Sequence, residues 1–348
     1  MPPLRIGFIG AGANTRSRHI PGFAAIDGVE LAGVVNRSRA SSEKVAAEFG
    51  LPRVYDSPQE LIADVGIDAV CIGTWPYTHR EFTVAALDAG KHVLCEARMA
   101  MDADEGAEML AASERHPNLV AQIVPAPFDL RSGETVTRLI REAAIGDIRE
   151  LSVNSLNGGG LNPATPLHWR QRLDYSGHNL MSLGIWVEVV QRWLGDLRTV
   201  SGHGSTFVHE RPDAESGRAM KPVEVPDTIS LTGEMANGAH YTIRVSSVTA
   251  GAPDNGITIF GTTGTIRWSP DDTATIAAHG KPFEPIVPDA GTDLGWRVEQ
   301  DFVASIRDGA PVRYTNFPDG VRYMRFIDAA WTSIHDGGRR VTIDPASN

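Results

Sequence analysis

Two glycines near the start of the chain have the spacing of a phosphate-binding turn. Gly10-Ala11-Gly12 follows the apolar run Leu4–Ile9 and precedes a stretch of helical length. The first glycine permits a tight turn, and the second lets a pyrophosphate approach the backbone at a helix N-terminus, where N–H groups attract anions. Because the pair follows a first strand, it predicts a dinucleotide site. That site extends over the next residues, Ala13, Asn14 and Thr15.

The residues after the second predicted strand bear on which dinucleotide binds. Where an acidic residue would hold the ribose 2′-hydroxyl of NAD, this chain has Asn36, followed by Arg37 and Ser38. A guanidinium and a hydroxyl suit a 2′-phosphate better than a bare ribose, so we expect NADP as the cofactor, with NAD as the alternative. In the opposite interpretation, Arg37 and Arg39 only solvate the loop.

The first third of the chain alternates strand-like and helix-like segments. Repeated βα units with continuous apolar strands predict a parallel sheet covered by helices on both faces. We therefore expect a dinucleotide-binding Rossmann domain over residues 1–124. The predicted strands are 4–9, 29–35, 69–73, 92–96 and 119–124, and the predicted helices are 15–25, 40–49, 79–89 and 104–113.

The pattern changes near Pro125, where we expect a second domain over residues 125–348. A helix is predicted over 179–194, and alternating strands over 199–267 predict a mainly antiparallel sheet. The fold class is thus α/β, with a Rossmann sheet followed by an open, mainly antiparallel one. The polar stretch 210–224 predicts a mobile loop, and 319–336 a last helix.

Composition excludes several classes of function. The 348 residues carry a net charge of −11, which repels phosphate backbones and argues against nucleic-acid binding. No apolar run approaches the ~18 residues that cross a membrane, and Met1 leads directly into a strand pattern, so we expect no signal peptide. Cys71 and Cys95 lie in apolar strand-like runs and predict buried, reduced thiols in a cytoplasmic protein, with no metal site.

Two further motifs strengthen the pattern. Thr74-Trp75-Pro76-Tyr77-Thr78-His79 and Gly90-Lys91-His92-Val93-Leu94-Cys95-Glu96, with the glycine turn, resemble the glucose–fructose oxidoreductase, inositol dehydrogenase and MocA family over nearly the whole chain. The resemblance implies a substrate site between the two domains and dehydrogenation of sugars, cyclitols and related polyols. It also implies that residues 125–348 form a substrate-binding and oligomerisation domain, which pairs into dimers or tetramers through its sheet and has a last helix packed back toward the domain junction. Within these motifs it assigns four residues to the cofactor site: Thr74, Trp75, His79 and Glu96.

This chain departs from the family at the positions that usually carry the chemistry. The family's Glu-Lys-Pro motif reads Glu96-Ala97-Arg98 here, so the usual lysine is replaced by Ala97. The family's Asp, and the His or Tyr four residues later, align with Ser182 and Trp186. Neither of these side chains takes a proton from an alcohol unaided near neutral pH. The cofactor fold is therefore supported, while the standard acid–base residues are missing.

A polar and aromatic run before the aligned helix offers substitutes. His178 is the first candidate for the proton partner, Tyr175 the second and His168 the third, because histidine titrates near pH 7 and tyrosine can donate to a carbonyl. In the opposite interpretation, each of these side chains has only a hydrogen-bonding role. Arginines are suited to an anionic or strongly polar substrate group. The predicted substrate-binding residues are Arg98, Arg170, Arg172, Asn179, Ser182 and Trp186.

Three functions compete on this sequence. The leading interpretation is an NAD(P)-dependent oxidoreductase with an atypical active site, acting on a small polar, carbohydrate-derived alcohol or carbonyl. The second is a non-redox lyase or glycosidase that uses a tightly bound dinucleotide transiently. The third is a non-catalytic sensor or partner subunit that has kept only dinucleotide binding.

Overall fold

The structure, a computed structural model, describes residues 2–251 and 254–344. The chain divides into two compact units. The first comprises the chain up to Pro125 together with Arg297–Val321, and the second comprises Ala126–Trp296 with the chain from Arg322 onward. The sequence pattern predicts a single boundary after residue 124, whereas residues 297–321 also belong to the first unit.

The first unit is built on a five-stranded parallel sheet with the order β2-β1-β3-β4-β5. Its strands are buried almost throughout, as the continuous apolar runs predict, and the prediction of a Rossmann-type sheet is confirmed. The strands are β1 (Leu4–Ile9), β2 (Val29–Val35), β3 (Ala69–Ile72), β4 (His92–Cys95) and β5 (Ala121–Ile123). The helices are α1 (Ile20–Ala24), α2 (Arg39–Phe49), α3 (Pro58–Ala63), α4 (His79–Asp88) and α5 (Ala103–Arg115).

Short turns lead into two of these helices. A π-helical turn, Thr15–His19, precedes α1, and a 3₁₀ turn, Pro76–Thr78, precedes α4. Helix α2 begins after Ser38, whose hydroxyl oxygen accepts a hydrogen bond from the backbone N–H of Ser41. Such a cap satisfies one of the N–H groups that the first turn of a helix leaves without a partner.

The second unit is built on a nine-stranded sheet with the order β15-β14-β13-β12-β6-β11-β10-β7-β16, in which only β6 and β11 pair in parallel. The prediction of a mainly antiparallel sheet is confirmed. The strands are β6 (Ile148–Leu156), β7 (Leu197–Ser205), β10 (Thr228–Met235), β11 (His240–Ser246), β12 (Asp254–Gly261), β13 (Gly264–Trp268), β14 (Ala274–Ala278), β15 (Glu284–Pro285) and β16 (Val341–Thr342). The helices are α6 (Gly133–Arg141), α7 (Leu173–Ser176) and α8 (Leu183–Leu194).

The two faces of this sheet differ in polarity. Val153, Ile243 and Ile259 are fully buried on one face, while Ser230 and Thr242 are exposed on the other. This alternation is typical of an antiparallel sheet that packs one face on a core. Association of copies through the sheet stays a prediction.

The helix predicted over 179–194 begins four residues late. Gly177 and Met181 have φ values of 58° and 51°, which a right-handed helix does not accommodate. Asn179 and Ser182 therefore precede α8 instead of sharing a helical stripe with Trp186. The predicted start of this helix at residue 179 is wrong, because periodicity along the sequence does not reveal a positive φ at a non-glycine residue.

The predicted mobile loop over 210–224 contains a two-stranded ribbon, formed by β8 (Glu210–Pro212) and β9 (Met220–Pro222). Arg211 anchors it, since its side chain is only 1% exposed and donates to the carbonyl oxygens of Gly160 and Asn162. The strands were missed because each is three residues long and ends in proline.

The segment that returns to the first unit carries helix α9 (Val298–Asp308). Phe302 of α9 packs edge-on against Phe23, with ring centroids 6.1 Å apart. Arg307 donates to the carbonyl oxygen of Asp27, and Thr315 exchanges backbone hydrogen bonds with Ile123 of β5. Helix α10 (Phe317–His335) follows, and the chain passes into the second unit after Val321.

Within the described residues, no helix combines the length and hydropathy that a membrane span requires. The same ranges hold no group of three or more His, Cys, Asp and Glu side chains arranged for a metal ion. Both cysteines are buried and unbridged. A cytoplasmic location stays a prediction.

Candidate functional site

Two glycines, Gly10 and Gly73, bring the ends of β1 and β3 into backbone contact in the first unit, and a third, Gly12, lies beside them. Gly10 has a φ of 82°, and a Cβ atom there would lie 2.6 Å from the Cγ2 of Thr74. A Cβ atom on Gly73 would lie 2.0 Å from the Oγ1 of Thr15. At Gly12, in contrast, the nearest atom would be the Gly73 carbonyl oxygen at 3.5 Å. Gly10 and Gly73 are thus required by packing, whereas Gly12 leaves open space above the backbone.

Hydrogen bonds fix this turn from two sides. The hydroxyl of Thr15 donates to the carbonyl oxygen of Gly10 at 3.2 Å. The side-chain oxygen of Asn36 accepts from the backbone N–H of Ala11 at 2.7 Å, and its amide nitrogen donates to Ser41 at 3.1 Å. Asn36 therefore connects the glycine turn to α2. This structural role accounts for an asparagine at position 36 as well as cofactor binding does.

A cleft of about 260 Å³ opens above the turn. It lies at the carboxyl ends of adjacent parallel strands, where open α/β sheets bind their ligands. Arg37 is exposed at its edge, with its guanidinium 5.9 Å from the centre of the Trp75 ring. The lining residues are Gly10, Ala11, Gly12, Asn36, Arg37, Ser41, Gly73, Thr74, Trp75 and Tyr77. An open backbone at Gly12 with an arginine beside it fits the pyrophosphate and ribose of a dinucleotide.

Six of the predicted cofactor-site residues do not line the cleft: Ala13, Asn14, Thr15, Ser38, His79 and Glu96. Thr15 is buried, and Ser38 caps α2. Ala13 is exposed, and Asn14 donates to Glu96. His79 needs a correction. Its ring is fully buried, with Nδ1 2.9 Å from the Arg98 carbonyl oxygen and Nε2 3.1 Å from that of Thr74. Burial lowers the pKa of His79, so we interpret it as a neutral bridge between two loops.

Glu96 belongs to a buried charged cluster. The His19 ring is fully buried between two carboxylates, with Nδ1 2.5 Å from Oε1 of Glu299 and Nε2 3.1 Å from Oε1 of Glu96. Burial opposes the charged imidazolium, but the bonds to Glu299 and Glu96 outweigh it and raise the pKa of His19 to about 9. Although burial acts against the carboxylate, the hydrogen bond from His19 leads the effects that lower the pKa of Glu96. The cluster joins the turn before α1, the end of β4 and helix α9.

A second cavity, of about 410 Å³, lies within the second unit. It brings together three predicted site residues, His168, Arg170 and Ser182. The hydroxyl of Ser182 lies 3.2 Å from that of Ser155. Sequence reasoning missed Asp227 and Arg211, whose burial has no signal in the sequence. The lining residues are Asn157, Gly159, Gly160, Thr165, Pro166, His168, Arg170, Gln171, Met181, Ser182, Ile185, Arg211, Val225, Pro226, Asp227, Val245, Ser246 and Ser247.

His168 is held as a hydrogen-bond donor. Its Nδ1 accepts from the backbone N–H of Arg170 at 3.2 Å, so the proton of the neutral ring is on Nε2. Partial burial and the Arg170 cation lower the pKa of His168 to about 4. A neutral imidazole of this kind polarises a carbonyl oxygen well and accepts a proton poorly.

The other predicted proton partners do not line this cavity. His178 contacts α10, with Nδ1 2.9 Å from the Oδ1 of Asp328 and its ring stacked on Trp331 at 5.0 Å. The Tyr175 hydroxyl donates to Glu215 at 2.9 Å.

The remaining predicted substrate residues are also placed elsewhere. Arg172 forms a two-pronged ion pair with Asp174, and Asn179 donates to the carbonyl oxygen of Ser176. Arg98 is 1% exposed. Trp186 is 2% exposed and packs against Phe128, with ring centroids 5.0 Å apart. Arg98 and Trp186 are thus buried, and their contact with a substrate stays a prediction.

The fold and the glycine cleft define a dinucleotide-binding α/β protein of two units. The chain belongs to the Gfo/Idh/MocA oxidoreductase family. Residues 4–123 match the model of its NAD-binding Rossmann fold, and residues 134–267 match the model of its C-terminal domain.

Several named proteins are similar to this chain over most of its length. A levoglucosan dehydrogenase from Pseudarthrobacter phenanthrenivorans is 28% identical over 292 residues, covering 76% of this chain and 73% of that protein. A dTDP-3,4-didehydro-2,6-dideoxy-alpha-D-glucose 3-reductase from Streptomyces antibioticus is 28% identical over 338 residues, covering 94% and 96%. A solved levoglucosan dehydrogenase in complex with NADH and L-sorbose has a TM-score of 0.85 at 24% identity, covering 98% of this chain and 99% of that chain. This likeness shows the fold.

The glycine turn predicts that a substitution at Gly12 weakens dinucleotide binding, whereas a substitution at Gly73 lowers the stability of the fold. Gly12→Ala adds a methyl group that meets only open space and one carbonyl oxygen, so it should keep the thermal midpoint near that of the wild type. It should weaken dinucleotide binding by at least ~10-fold, because the pyrophosphate can no longer approach the backbone. Gly73→Ala is the matched contrast and should lower the midpoint, at a cost of ~1–3 kcal/mol from overpacking. Fluorescence titration and thermal unfolding measure both effects, and unchanged affinity in Gly12→Ala would contradict the site.

The His19 cluster predicts a pH-dependent stability. The folded pKa of about 9 exceeds the ordinary 6.5, so the contribution is complete below pH 6.5 and is lost as the pH rises through 9. His19→Gln should therefore lower the thermal midpoint at pH 6, by on the order of 5–10 °C. The gap should shrink by pH 9.5. His116→Gln, which removes a half-buried histidine beside Asp88, is the control. A gap that stays constant between pH 6 and pH 9.5 would show that His19 is neutral.

Proposed function

We propose that this oxidoreductase prefers NADP(H) over NAD(H) and acts on a hydroxyl or carbonyl group of a small polyhydroxylated molecule. The observation that carries the proposal is the glycine cleft of the first unit with Arg37 at its edge. A guanidinium at this position, with no acidic residue beside Asn36 to hold the 2′-hydroxyl, favours a 2′-phosphate. When bound, the nicotinamide cofactor would accept or donate a hydride; all other functions fall to the chain.

The substrate class is supported by the cavity of the second unit and by the relatives. Side chains of Asn157, Gln171, Ser182, Ser246 and Ser247 present amide and hydroxyl groups around it. Such groups both donate and accept hydrogen bonds, as the hydroxyls of a sugar require. Relatives named for levoglucosan, a dTDP-sugar and a D-glucoside support the same class.

We assign His178 as the proton partner. The Asp328 carboxylate lies 2.9 Å from Nδ1 and orients the ring, as carboxylates do in other carboxylate–histidine pairs. The side chain is 40% exposed and lies outside the lining of the second-unit cavity, so the reacting group of the substrate must extend beyond that cavity to reach the ring. His168 would act differently, by donating from Nε2 to a substrate oxygen. Together, His178 and His168 would supply the proton transfer and the hydrogen-bond donation that Ala97, Ser182 and Trp186 do not provide.

Turnover of the cofactor tests the redox function. Wild-type protein is mixed with either cofactor and a panel of polyols, aldoses and ketoses, and reduced nicotinamide is followed by absorbance in both directions. We expect turnover with at least one sugar-like compound. Tight dinucleotide binding without turnover of any compound would overturn the redox function and favour a sensor or a transient-redox enzyme.

Arg37→Ala should weaken NADP(H) binding by roughly 10- to 100-fold, the loss of one charge-assisted hydrogen bond to a phosphate. NAD(H) binding should stay near wild type. Arg39→Ala is the matched control, because Arg39 pairs with Glu43 and Asp56. Fluorescence titration of both reduced cofactors provides the measurement. An equal loss for both cofactors would mean that Arg37 does not read the 2′-phosphate.

His178→Ala should lower kcat by about 10²-fold or more, as expected when a proton-transfer group is removed, with cofactor affinity intact. Asp328→Asn should lower it less, since the ring stays but loses its orienting carboxylate. His335→Ala removes a neighbouring ring that stacks on Trp331 and is the control. If His178→Ala keeps wild-type kcat, the proton passes through another group and our assignment is wrong.

A further inference from the structure

The cavity of the second unit carries a local positive charge in an acidic chain. Its lining contains two arginines, Arg170 and Arg211, and one carboxylate, Asp227. The whole chain has a net charge of −11, so most of its surface repels anions. A cavity of opposite sign therefore distinguishes anionic from neutral ligands.

Asp227 is committed to the backbone. It is 2% exposed, and its Oδ2 accepts hydrogen bonds from the N–H groups of Phe207 and Val208, both at 2.9 Å. Arg211 is 1% exposed, and it donates to the carbonyl oxygens of Gly160 and Asn162. Among the described residues, no carboxylate lies within ion-pair distance of Arg211. Its charge is thus solvated by neutral carbonyl groups and contributes to the potential of the cavity.

Arg170 is the more accessible of the two arginines, because it is partly exposed whereas Arg211 is only 1% exposed. It lies in a 3₁₀ turn, Trp169–Gln171, closed by reciprocal bonds in which Gln171 accepts from the N–H of His168 at 3.0 Å. The guanidinium lies over the Trp169 ring, 4.1 Å from its centre. The closed turn and the Trp169 ring orient the planar guanidinium of Arg170. Two of its N–H groups can then donate to the two oxygens of one carboxylate. The Nε2–H of His168 adds another donor beside it.

We propose that this cavity selects a sugar acid, a polyhydroxylated molecule bearing one carboxylate, with the carboxylate on Arg170 and the hydroxyls on the amide and hydroxyl side chains of the wall. The inference rests on the proposed function and narrows its substrate class. Ile185, Val225 and Val245 provide an apolar strip for the C–H face of the ligand. An excess of one positive charge matches a monoanionic carboxylate better than a dianionic phosphate.

Matched pairs of ligands test the proposal on the cofactor-loaded protein. The pairs are D-glucuronate with D-glucose and D-galacturonate with D-galactose, and D-glucose 6-phosphate is the dianionic probe. Calorimetry gives the affinity and cofactor reduction gives kcat/KM. We expect each acid to bind roughly 10- to 100-fold more tightly than its neutral partner, the effect of one charge-assisted bond.

Arg170→Gln should lower the affinity for each acid to about that of its neutral partner, and Arg170→Lys should restore part of the preference. Arg149→Gln is the control, because Arg149 is 66% exposed and does not line the cavity. Neutral sugars bound as tightly as acids, tighter binding of the phosphate, or a preference that survives Arg170→Gln would each overturn the proposal. Turnover of neutral sugars without any preference would overturn it and leave the redox function standing. Acid binding that needs Arg170, without turnover, would support the site and overturn the redox function.

Discussion

The backbone contact between the ends of β1 and β3 is the constraint on which the first unit depends. A Cβ atom on Gly73 would lie 2.2 Å from the carbonyl oxygen of Gly10. The N–H of Gly10 bonds to Val35 and that of Gly73 to Ile9, which extends the parallel ladder one residue beyond each strand. The carboxyl ends of β1, β2 and β3 therefore lie side by side at one edge of the sheet, and the cleft opens above them. A phosphate-binding turn follows from this packing before any ligand is considered.

The buried charges explain how distant segments hold this arrangement. His19 lies between the carboxylates of Glu96, which follows β4, and Glu299 of α9. A segment 280 residues away in sequence is thereby bound to the turn that precedes α1. A charge buried in this way is favourable only when its partners are close and hydrogen-bonded. In the second unit Arg211 plays a comparable part, since it fastens the loop around Gly160 and Asn162 that forms one wall of the cavity.

Much of the fold was predictable because its signals are local. The apolar run Leu4–Ile9 matches β1, and the glycine turn placed the cofactor cleft. Other features depend on the third dimension. The late start of α8 follows from a positive φ at Met181, and the burial of Trp186 follows from its packing against Phe128. Asp227 was missed because a lone aspartate between two strands has no pattern that distinguishes a buried carboxylate from a solvated one.

Amide hydrogen exchange with and without NADPH tests the central claim, that the glycine cleft of the first unit holds the dinucleotide. Slower exchange is predicted in two segments, around Gly12 and around Arg37, because bound phosphates would shield their backbone N–H groups. Little change is predicted at the ribbon of β8 and β9 in the second unit. Protection confined to that unit, or absent under saturating NADPH, would contradict the account.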